Sequence, residues 1–182
     1  MQAVQRACDA GVYVVCAAGN EGLTIGGPGV IAEAVTVGAC SAQGGTVSWS
    51  NYGPRLDLLA WGVSVPCAAA EATRTSKRYT TCPEYACLSG TSFAAPIVAG
   101  LVADLIAAGV EDPVGVLVAN CRDLGLEAER QGHGEVDARK AGEAAGVLGP
   151  SGGQCGQGAV QAAVCLVVML GAVVIGTQRR PT

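Results

Sequence analysis

The chain has 182 residues, half of them apolar, with 27 glycines. A chain of this length can bury a sizeable core, so its composition is that of a folded protein and not of a disordered one. Its 11 basic and 15 acidic residues give a formal charge of −4, and the basic residues form no cluster. The basic surface that nucleic-acid binding needs is missing, and we exclude a nucleic-acid partner.

The cysteine content is high for this size, with nine cysteines. Cys82 and Cys87 bracket a short segment in which a disulfide is sterically conceivable, and this favours an oxidising compartment. The alternative is that most of the thiols are small buried hydrophobic groups, as expected for Cys16 within the run VYVVCAA. We expect a mixture of both kinds, and the sequence leaves the pairing open.

The first half of the chain alternates a helix with apolar strands. Residues 2–10 have a helical pattern that Gly11 ends. The continuous β-branched run at residues 12–18 is typical of a strand buried on both faces, as in a parallel sheet. Residues 32–39 and 55–61 predict two more strands, separated by glycine-rich turns.

The second half of the chain adds helices. Residues 67–81 are polar and irregular and predict a surface hairpin or loop. Residues 92–108 predict a long helix that is apolar on nearly every face, and residues 113–120 and 136–145 predict two shorter helices. This alternation indicates an α/β fold with a mainly parallel sheet flanked by helices. Because so few strands cannot cover the long apolar helix, we expect the chain to be the back half of a larger fold.

The C-terminal segment has the composition of a membrane span. Residues 158–176 are uncharged and apolar apart from Gln161, and Arg179 and Arg180 follow directly. The length is at the short limit for a span, and a buried core helix is the alternative. We therefore expect a protein anchored in a membrane. The positive-inside bias keeps the two arginines in the cytoplasm and predicts an extracellular or lumenal position for the folded part.

The predicted organisation has four parts. They are a domain over 1–146, a Gly/Ser-rich linker over 147–157, a transmembrane helix over 158–176 and a short basic tail over 177–182. The first residues lack the apolar region of a secretory signal, so we expect export to require sequence upstream of Met1.

Two short segments place polar groups where α/β sheets bind ligands. The segment AAGN ends the first strand, so Asn20 projects from the carboxyl end of the sheet. The segment GTSFAAP opens the long helix and puts the backbone N–H of Ser92 at the positive end of the helix dipole. A side-chain amide and a backbone N–H aimed at one point form an oxyanion hole. Ser92 is therefore a candidate nucleophile, with an ordinary helix N-cap as the alternative.

These segments resemble the subtilisin-like serine proteases, the subtilases. That family carries its oxyanion asparagine on Ala-Ala-Gly-Asn and its nucleophile in Gly-Thr-Ser-x-Ala-x-Pro. The resemblance continues through SWSNYGPRLDLLAWG at residues 48–62 and closes with GHGEVDARKAG at residues 132–142. It covers residues 1–146 in family order, as the C-terminal half of a catalytic domain. The stretch SWSNYG is most similar to the proteinase K branch.

The resemblance implies roles for individual residues. Ser92 would be the nucleophile and Asn20 an oxyanion donor of an endopeptidase that cleaves polypeptides by acyl transfer. The residues that would hold the substrate side chain before the scissile bond are Ala17, Ala18 and Gly19 along one wall and Gly26 at the base. Ordinary turn chemistry is the alternative for these glycines.

Asp57 resembles an aspartate that binds structural calcium in the proteinase K branch, together with backbone carbonyls like those of residues 32–34. Hard oxygen ligands of this kind suit calcium. One carboxylate makes a weak site, so the alternative is an ordinary residue at the end of a strand. We expect no cofactor to be required for catalysis.

The catalytic Asp and His of the family precede the Ala-Ala-Gly-Asn strand, and this chain has no such region. Its single histidine, His133, follows Ser92 in a glycine motif, and we interpret it as an exposed loop residue. Without a general base the Ser92 hydroxyl stays protonated, so we expect the chain alone to be inactive and the coding sequence to continue upstream. The alternative function is a noncatalytic, membrane-anchored protein that binds peptides or a partner.

Overall fold

The computed structural model describes residues 2–68, 78–79, 82–148 and 172–175. The elements in chain order are α1 (Gln2–Asp9), β1 (Tyr13–Ala17), β2 (Val35–Cys40), β3 (Leu58–Trp61), β4 (Val65–Ala68), β5 (Arg78–Tyr79), β6 (Cys82–Leu88), α2 (Thr91–Ala107), α3 (Pro113–Ala119), α4 (Ala128–Gln131), α5 (Ala138–Ala144) and β7 (Ala172–Ile175). A 3₁₀ turn, Gly27–Val30, lies between β1 and β2.

The central sheet holds β3, β2 and β1 side by side, and both of these pairings are parallel. All six residues of β2 are buried, as are the first four residues of β1. Burial of successive residues requires cover on both faces of a strand, which is why β1 is an unbroken apolar run in the sequence. The one polar residue of β2, Thr36, is buried with its hydroxyl donating to the Gly29 carbonyl at 2.9 Å. The predicted α/β fold with a mainly parallel sheet is confirmed.

Helices cover the two faces of this sheet. On one face, α2 packs against the strands in a cluster that includes Val98, Val15 and Val37. On the other face, α1 contributes Cys8 to a cluster with Cys16. Burying one valine side chain of this kind stabilises the fold by about 1.5–3 kcal/mol. Cys16 is fully buried, so its predicted role as a small core residue is confirmed.

A second sheet of three antiparallel strands, in the order β4-β6-β5, leads into α2. Most of the region predicted as a hairpin or loop lies outside the described residues, and its described strands β4 and β5 each pair with β6, which follows that region. Cys82 and Cys87 lie five residues apart on the single extended strand β6, which is roughly 16 Å at the usual strand rise. A disulfide joins Cα atoms no more than about 7 Å apart, so the Cys82–Cys87 bridge considered from the sequence is wrong.

The helix starts follow their capping residues. Asp112 accepts a hydrogen bond from Gly115 N–H at 2.9 Å and so begins α3. Asp137 accepts one from Lys140 N–H at 3.0 Å, and α5 begins two residues later than predicted for that reason. α2 begins one residue earlier than predicted, at Thr91. The short helix α4 was not predicted.

The predicted membrane span, residues 158–176, lies outside the described residues except for β7. Those four residues pair antiparallel with β1, with Val173 opposite Val15, so the predicted helix is wrong at these positions. Three of the four, Val173, Val174 and Ile175, belong to the β-branched residue types that favour strands. Over the described ranges, no helix has both the length and the apolar composition needed to cross a membrane. The linker and the basic tail lie outside the described residues beyond Leu148, and the domain boundaries remain predictions.

Candidate active site

Ser92 lies in the first turn of α2 and is exposed. Gly90 takes the N-cap position, and its N–H donates to the Gly62 carbonyl at 2.8 Å. Ser92 therefore follows Thr91 as the second residue of the helix and is not its cap, so the N-cap alternative is wrong. The N–H groups in the first turn of a helix have no acceptor within the helix, which leaves the backbone N–H of Ser92 as a donor next to the Ser92 hydroxyl. Pro96 has no N–H, so the Ser92 carbonyl also lacks its usual helical donor.

Thr91 holds the side chain of Asn20 in one orientation. Thr91 is fully buried, its N–H donates to Asn20 Oδ1 at 2.8 Å, and its hydroxyl donates to the same oxygen at 3.1 Å. The Thr91 hydroxyl also accepts from Gly19 N–H at 3.1 Å. Because Oδ1 is bound twice, the amide nitrogen is the end of Asn20 that remains for a ligand. That nitrogen lies 3.6 Å from the place where a Cβ on Gly90 would stand, next to the start of α2.

Asn51 anchors the loop that carries Asn20. It is 7% exposed, and its Oδ1 accepts from Glu21 N–H at 3.1 Å and from Leu23 N–H at 2.9 Å. Its Nδ2 donates to the Glu21 carboxylate at 2.8 Å, and that carboxylate accepts from Asn20 N–H at 3.0 Å. Gly19 has a φ of +105°, and a Cβ there would overlap the Asn51 amide nitrogen. The loop is therefore fixed by one buried amide and requires glycine at its start.

The residues predicted to line a substrate pocket take different positions. Ala17 ends β1 and is half-buried, and Gly19 follows it in the loop. Ala18 is 3% exposed and packs into a core cluster with Ile25, so it can offer a ligand only its backbone. Gly26 is exposed, and a Cβ there would meet nothing within 4 Å. The space beside Gly26 is thus open, and its role as a pocket base stays a prediction.

His133 lies at the other end of β3 from the candidate site. It is exposed, as predicted, and its backbone N–H donates to the Asp57 carbonyl at 2.8 Å, just before β3 begins. β3 is followed by Gly62, which accepts from Gly90 N–H. Five residues of strand correspond to roughly 16 Å. The only histidine of the sequence is therefore not placed to take a proton from Ser92.

The site combines an exposed serine, the amino end of a helix and an oriented asparagine amide. Hydrogen-bond donors from Asn20 and from the Ser92 backbone can stabilise the negative charge of a carbonyl oxygen under attack. Cys16 and Cys40 add no nucleophile, because burial is the main cause that raises their pKa values, to about 11 and about 12. The fold and the site together define an α/β protein with an exposed serine in the first turn of a helix and an asparagine amide held beside that turn.

The chain belongs to the subtilase family, whose family model matches residues 1–117. It is 36% identical over 132 residues to halolysin from Haloferax mediterranei, an alignment that covers 70% of this chain and 24% of halolysin. It is 41% identical over 103 residues to subtilisin Savinase from Lederbergia lenta, which covers 56% of this chain and 34% of that protein. A solved protease structure from Pseudoalteromonas arctica matches with a TM-score of 0.67 and 29% identity, covering 79% of this chain and 46% of that one. The chain thus spans less than half the length of each of these relatives.

The resemblance to subtilases is confirmed, and the similarity of SWSNYG to the proteinase K branch stays a prediction. Sequence reasoning missed three residues that shape the site, namely Thr91, Asn51 and Glu21. Thr91 and Asn51 lie inside the motifs GTSFAAP and SWSNYG, so they could have been found as polar residues of a motif. Glu21 follows AAGN directly and carried no signal of its own.

Proposed function

We propose that this chain supplies the nucleophile and the oxyanion donors of a subtilisin-like serine endopeptidase. The observation that carries the proposal is the pair of hydrogen bonds from Thr91 to Asn20, because it fixes the Asn20 amide beside the helical turn of Ser92. Membership of the subtilase family supports serine-type peptidase chemistry and a polypeptide substrate.

The reaction is an acyl transfer. Ser92 Oγ attacks the peptide carbonyl while a base takes the hydroxyl proton, and the resulting oxyanion is held by Asn20 Nδ2–H and Ser92 N–H. The C–N bond breaks as the base returns the proton to the leaving amine. A water molecule, deprotonated by the same base, then releases the acyl group from Ser92 Oγ.

The substrate side chain before the scissile bond would enter the space between the end of β1 and Gly26. Ala17, Gly19 and the backbone of Ala18 would form its wall, and Gly26 its base. Because these residues are small, the pocket would be wide and apolar and would accept large apolar side chains.

We place the base and its aspartate in a part of the whole protein outside this chain, as the family resemblance implies. In subtilisin itself, loss of the serine or of the histidine lowers kcat by about 2 × 10⁶, and we expect a deficit of that order for this chain alone. One observation favours a second function for the isolated chain. Its Asn20 amide is held beside the turn of Ser92 while His133 lies at the far end of β3, so the chain would bind a peptide without cutting it.

Labelling by a fluorophosphonate probe tests the proposal. The protein expressed with whatever coding sequence precedes Met1 in frame should label at Ser92 and hydrolyse peptides, and Ser92→Ala should abolish both. The chain of residues 1–182 should label more slowly by orders of magnitude. An in-frame stop codon directly upstream, together with peptide binding and no hydrolysis, would establish the noncatalytic alternative. Labelling of the isolated chain at the rate of a protease would show that it contains a base.

We also propose that residues 158–176 anchor the protein in a membrane, with residues 1–146 outside the cell or in a lumen and Arg179 and Arg180 in the cytoplasm. The uncharged composition of the segment supports this. Because β7 uses four of these residues, anchoring requires that strand to leave β1 and join a helix. After alkaline carbonate extraction the chain should stay in the membrane pellet. Its release would contradict the anchor and favour the strand.

A further inference from the structure

The segment from the end of β3 to the start of β4, residues 61–64, forms a turn that lies beside the start of α2. The Gly62 carbonyl accepts from Gly90 N–H at 2.8 Å. Trp61 Nε1–H donates to the Val63 carbonyl at 2.6 Å, which closes the turn on itself. A Cβ on Gly62 would stand 3.0 Å from the Gly90 carbonyl oxygen, so the 61–64 turn packs directly against the residue that precedes α2.

Ser64, the last residue of the 61–64 turn, has a backbone conformation that serine rarely adopts. Its φ is +52°, and no other residue except glycine has a positive φ in the described part of the chain. In this left-handed region the Cβ of an L-residue crowds its own carbonyl oxygen, so the conformation persists only where neighbouring contacts hold it. The contact that holds Ser64 is a hydrogen bond from its N–H to Ser89 Oγ at 2.9 Å.

Ser89 therefore uses its side chain where the pairing of β4 with β6 ends. The last paired residues of the two strands are Val65 and Leu88. One position further on, Ser64 N–H donates to the hydroxyl of Ser89 instead of to a backbone carbonyl. The Ser89 side chain is exposed, so it contributes little to the core and acts through this hydrogen bond.

The residues that precede Ser92 are held one after another. Ser89 is bonded to the 61–64 turn through its hydroxyl, and Gly90 is bonded to the same turn through its N–H. Thr91 is buried and donates twice to Asn20. Because the backbone has only two soft torsions per residue, fixing these neighbours limits where Ser92 can stand.

We propose that Ser89 is a positioning residue for the nucleophile. Its hydroxyl holds Ser64 in the left-handed conformation, and the turn fixed in this way keeps Gly90 and the start of α2 in place. Ser92 then presents its hydroxyl and its N–H next to the Asn20 amide. Ser89 forms and breaks no bond in the reaction. The inference rests on the proposed function, because it concerns the reaction at Ser92.

Fluorophosphonate labelling of the full chain at Ser92 tests the proposal. Ser89→Ala removes the acceptor of Ser64 N–H, and it should lower the labelling rate by about three- to tenfold, equally at every pH, since no proton transfer is affected. Ser89→Thr keeps the hydroxyl and should label at the wild-type rate. The matched control is Ser41→Ala, which removes a serine hydroxyl that accepts from Gly45 N–H at 3.1 Å in another turn and should leave the rate unchanged.

Ser64→Gly separates the conformation from the hydrogen bond. Glycine adopts a φ of +52° readily, so the turn then depends less on the Ser89 hydroxyl. Ser89→Ala should therefore lower the labelling rate less when Ser64→Gly is also present than it does in the wild type. Strictly additive effects of the two substitutions would show that Ser89 does not act through Ser64, and they would overturn the proposal.

The remaining outcomes also decide the question. A lower Tm of Ser89→Ala with an unchanged labelling rate of the folded chain would show a merely structural role, and slow labelling that Ser89→Thr does not restore would show that the hydroxyl is not the cause; either result overturns the proposal. If Asn20→Ala labels at the wild-type rate, the oxyanion role in the proposed function fails. The backbone amide NMR signals of Gly90 and Ser92 then decide: a shift in Ser89→Ala but not in Ser89→Thr supports positioning, and unmoved signals overturn it.

Discussion

Replacing Thr91 with valine should loosen Asn20 and destabilise the fold. Valine has nearly the shape of threonine but carries a methyl group in place of the hydroxyl. In the structure that hydroxyl accepts from Gly19 N–H and donates to Asn20 Oδ1, each at 3.1 Å. Thr91→Val removes both hydrogen bonds and leaves one backbone N–H as the remaining bond of residue 91 to Asn20.

Two contributions set the size of this effect. Gly19 N–H loses its acceptor, and a partly buried N–H without a partner lowers the free energy of unfolding by about 1–3 kcal/mol. The lost bond to Asn20 contributes about 0.5 kcal/mol, the low end of the usual range, because Asn20 is exposed and water can replace the hydroxyl. The sum is about 1.5–3.5 kcal/mol. In a domain of this size that corresponds to a fall in Tm of roughly 3–14 °C.

Urea unfolding measures the change, and Thr91→Ser is the matched control. Serine keeps the hydroxyl and both hydrogen bonds and loses one buried methyl group, which is worth about 1 kcal/mol. The valine variant should therefore be the less stable of the two, and the side-chain amide NMR signals of Asn20 should move only in that variant. Equal stability of the two variants, with unmoved Asn20 signals, would refute the argument that the Thr91 hydroxyl orients Asn20.

Two other predictions concern carboxylates. Asn51→Asp keeps the acceptor for Glu21 N–H and Leu23 N–H but places a second carboxylate against that of Glu21, so Tm should fall at neutral pH and recover in acid. Adding Glu21→Gln should restore a hydrogen bond, now donated by residue 21 to residue 51. A double-mutant cycle that shows no coupling between the two substitutions would contradict the contact. Burial raises the pKa of Asp57 above 3.8, so the folded state holds this proton more tightly than the unfolded state, and that stabilisation is lost as the pH rises from about 3.8. Urea unfolding between about pH 3 and about pH 7 should show the wild type losing stability relative to Asp57→Asn as the pH rises, and the opposite slope would show that the surroundings of Asp57 favour its charged form.

The central strands could be predicted because their burial on both faces leaves a mark in the sequence. The predicted strand at residues 12–18 exceeds the observed Tyr13–Ala17 by one residue at each end. β3 is shorter than predicted at its start. There Arg55 donates to the Ile31 carbonyl and Asp57 accepts from Thr36 N–H, and neither residue belongs to the strand.

The hydrogen bonds that orient the candidate site could not be predicted. Thr91 and Asn20 are 71 positions apart, and Asn51 and Glu21 are 30 positions apart. Local propensity does not say which distant partner a polar side chain will meet. The motifs therefore indicated which residues belong to the site but not how they are held.

Strand β7 shows the limit of periodicity as a signal. Its four residues, AVVI, lie in a long uncharged run in which apolar residues occupy nearly every position. Neither the helical nor the strand period can be recognised in such a run. The pairing with β1, a tertiary contact across the chain, gives this segment its conformation in the structure.

In the isolated chain, Ser92 should react only as fast as hydroxide can remove its proton. The helix amino end and the Asn20 amide stabilise negative charge but take up no proton, and His133 is too distant to act as a base. Labelling by a fluorophosphonate should therefore rise about tenfold per pH unit between about pH 7 and about pH 9 without a plateau. A histidine base would instead give a plateau above its pKa, ordinarily about 6.5.

His133→Ala should leave the profile unchanged, whereas Asn20→Ala should lower the rate at every pH by about 10²–10³-fold, the loss measured for the oxyanion asparagine of subtilisin. A plateau near neutral pH that disappears in His133→Ala would show that this chain carries its own base.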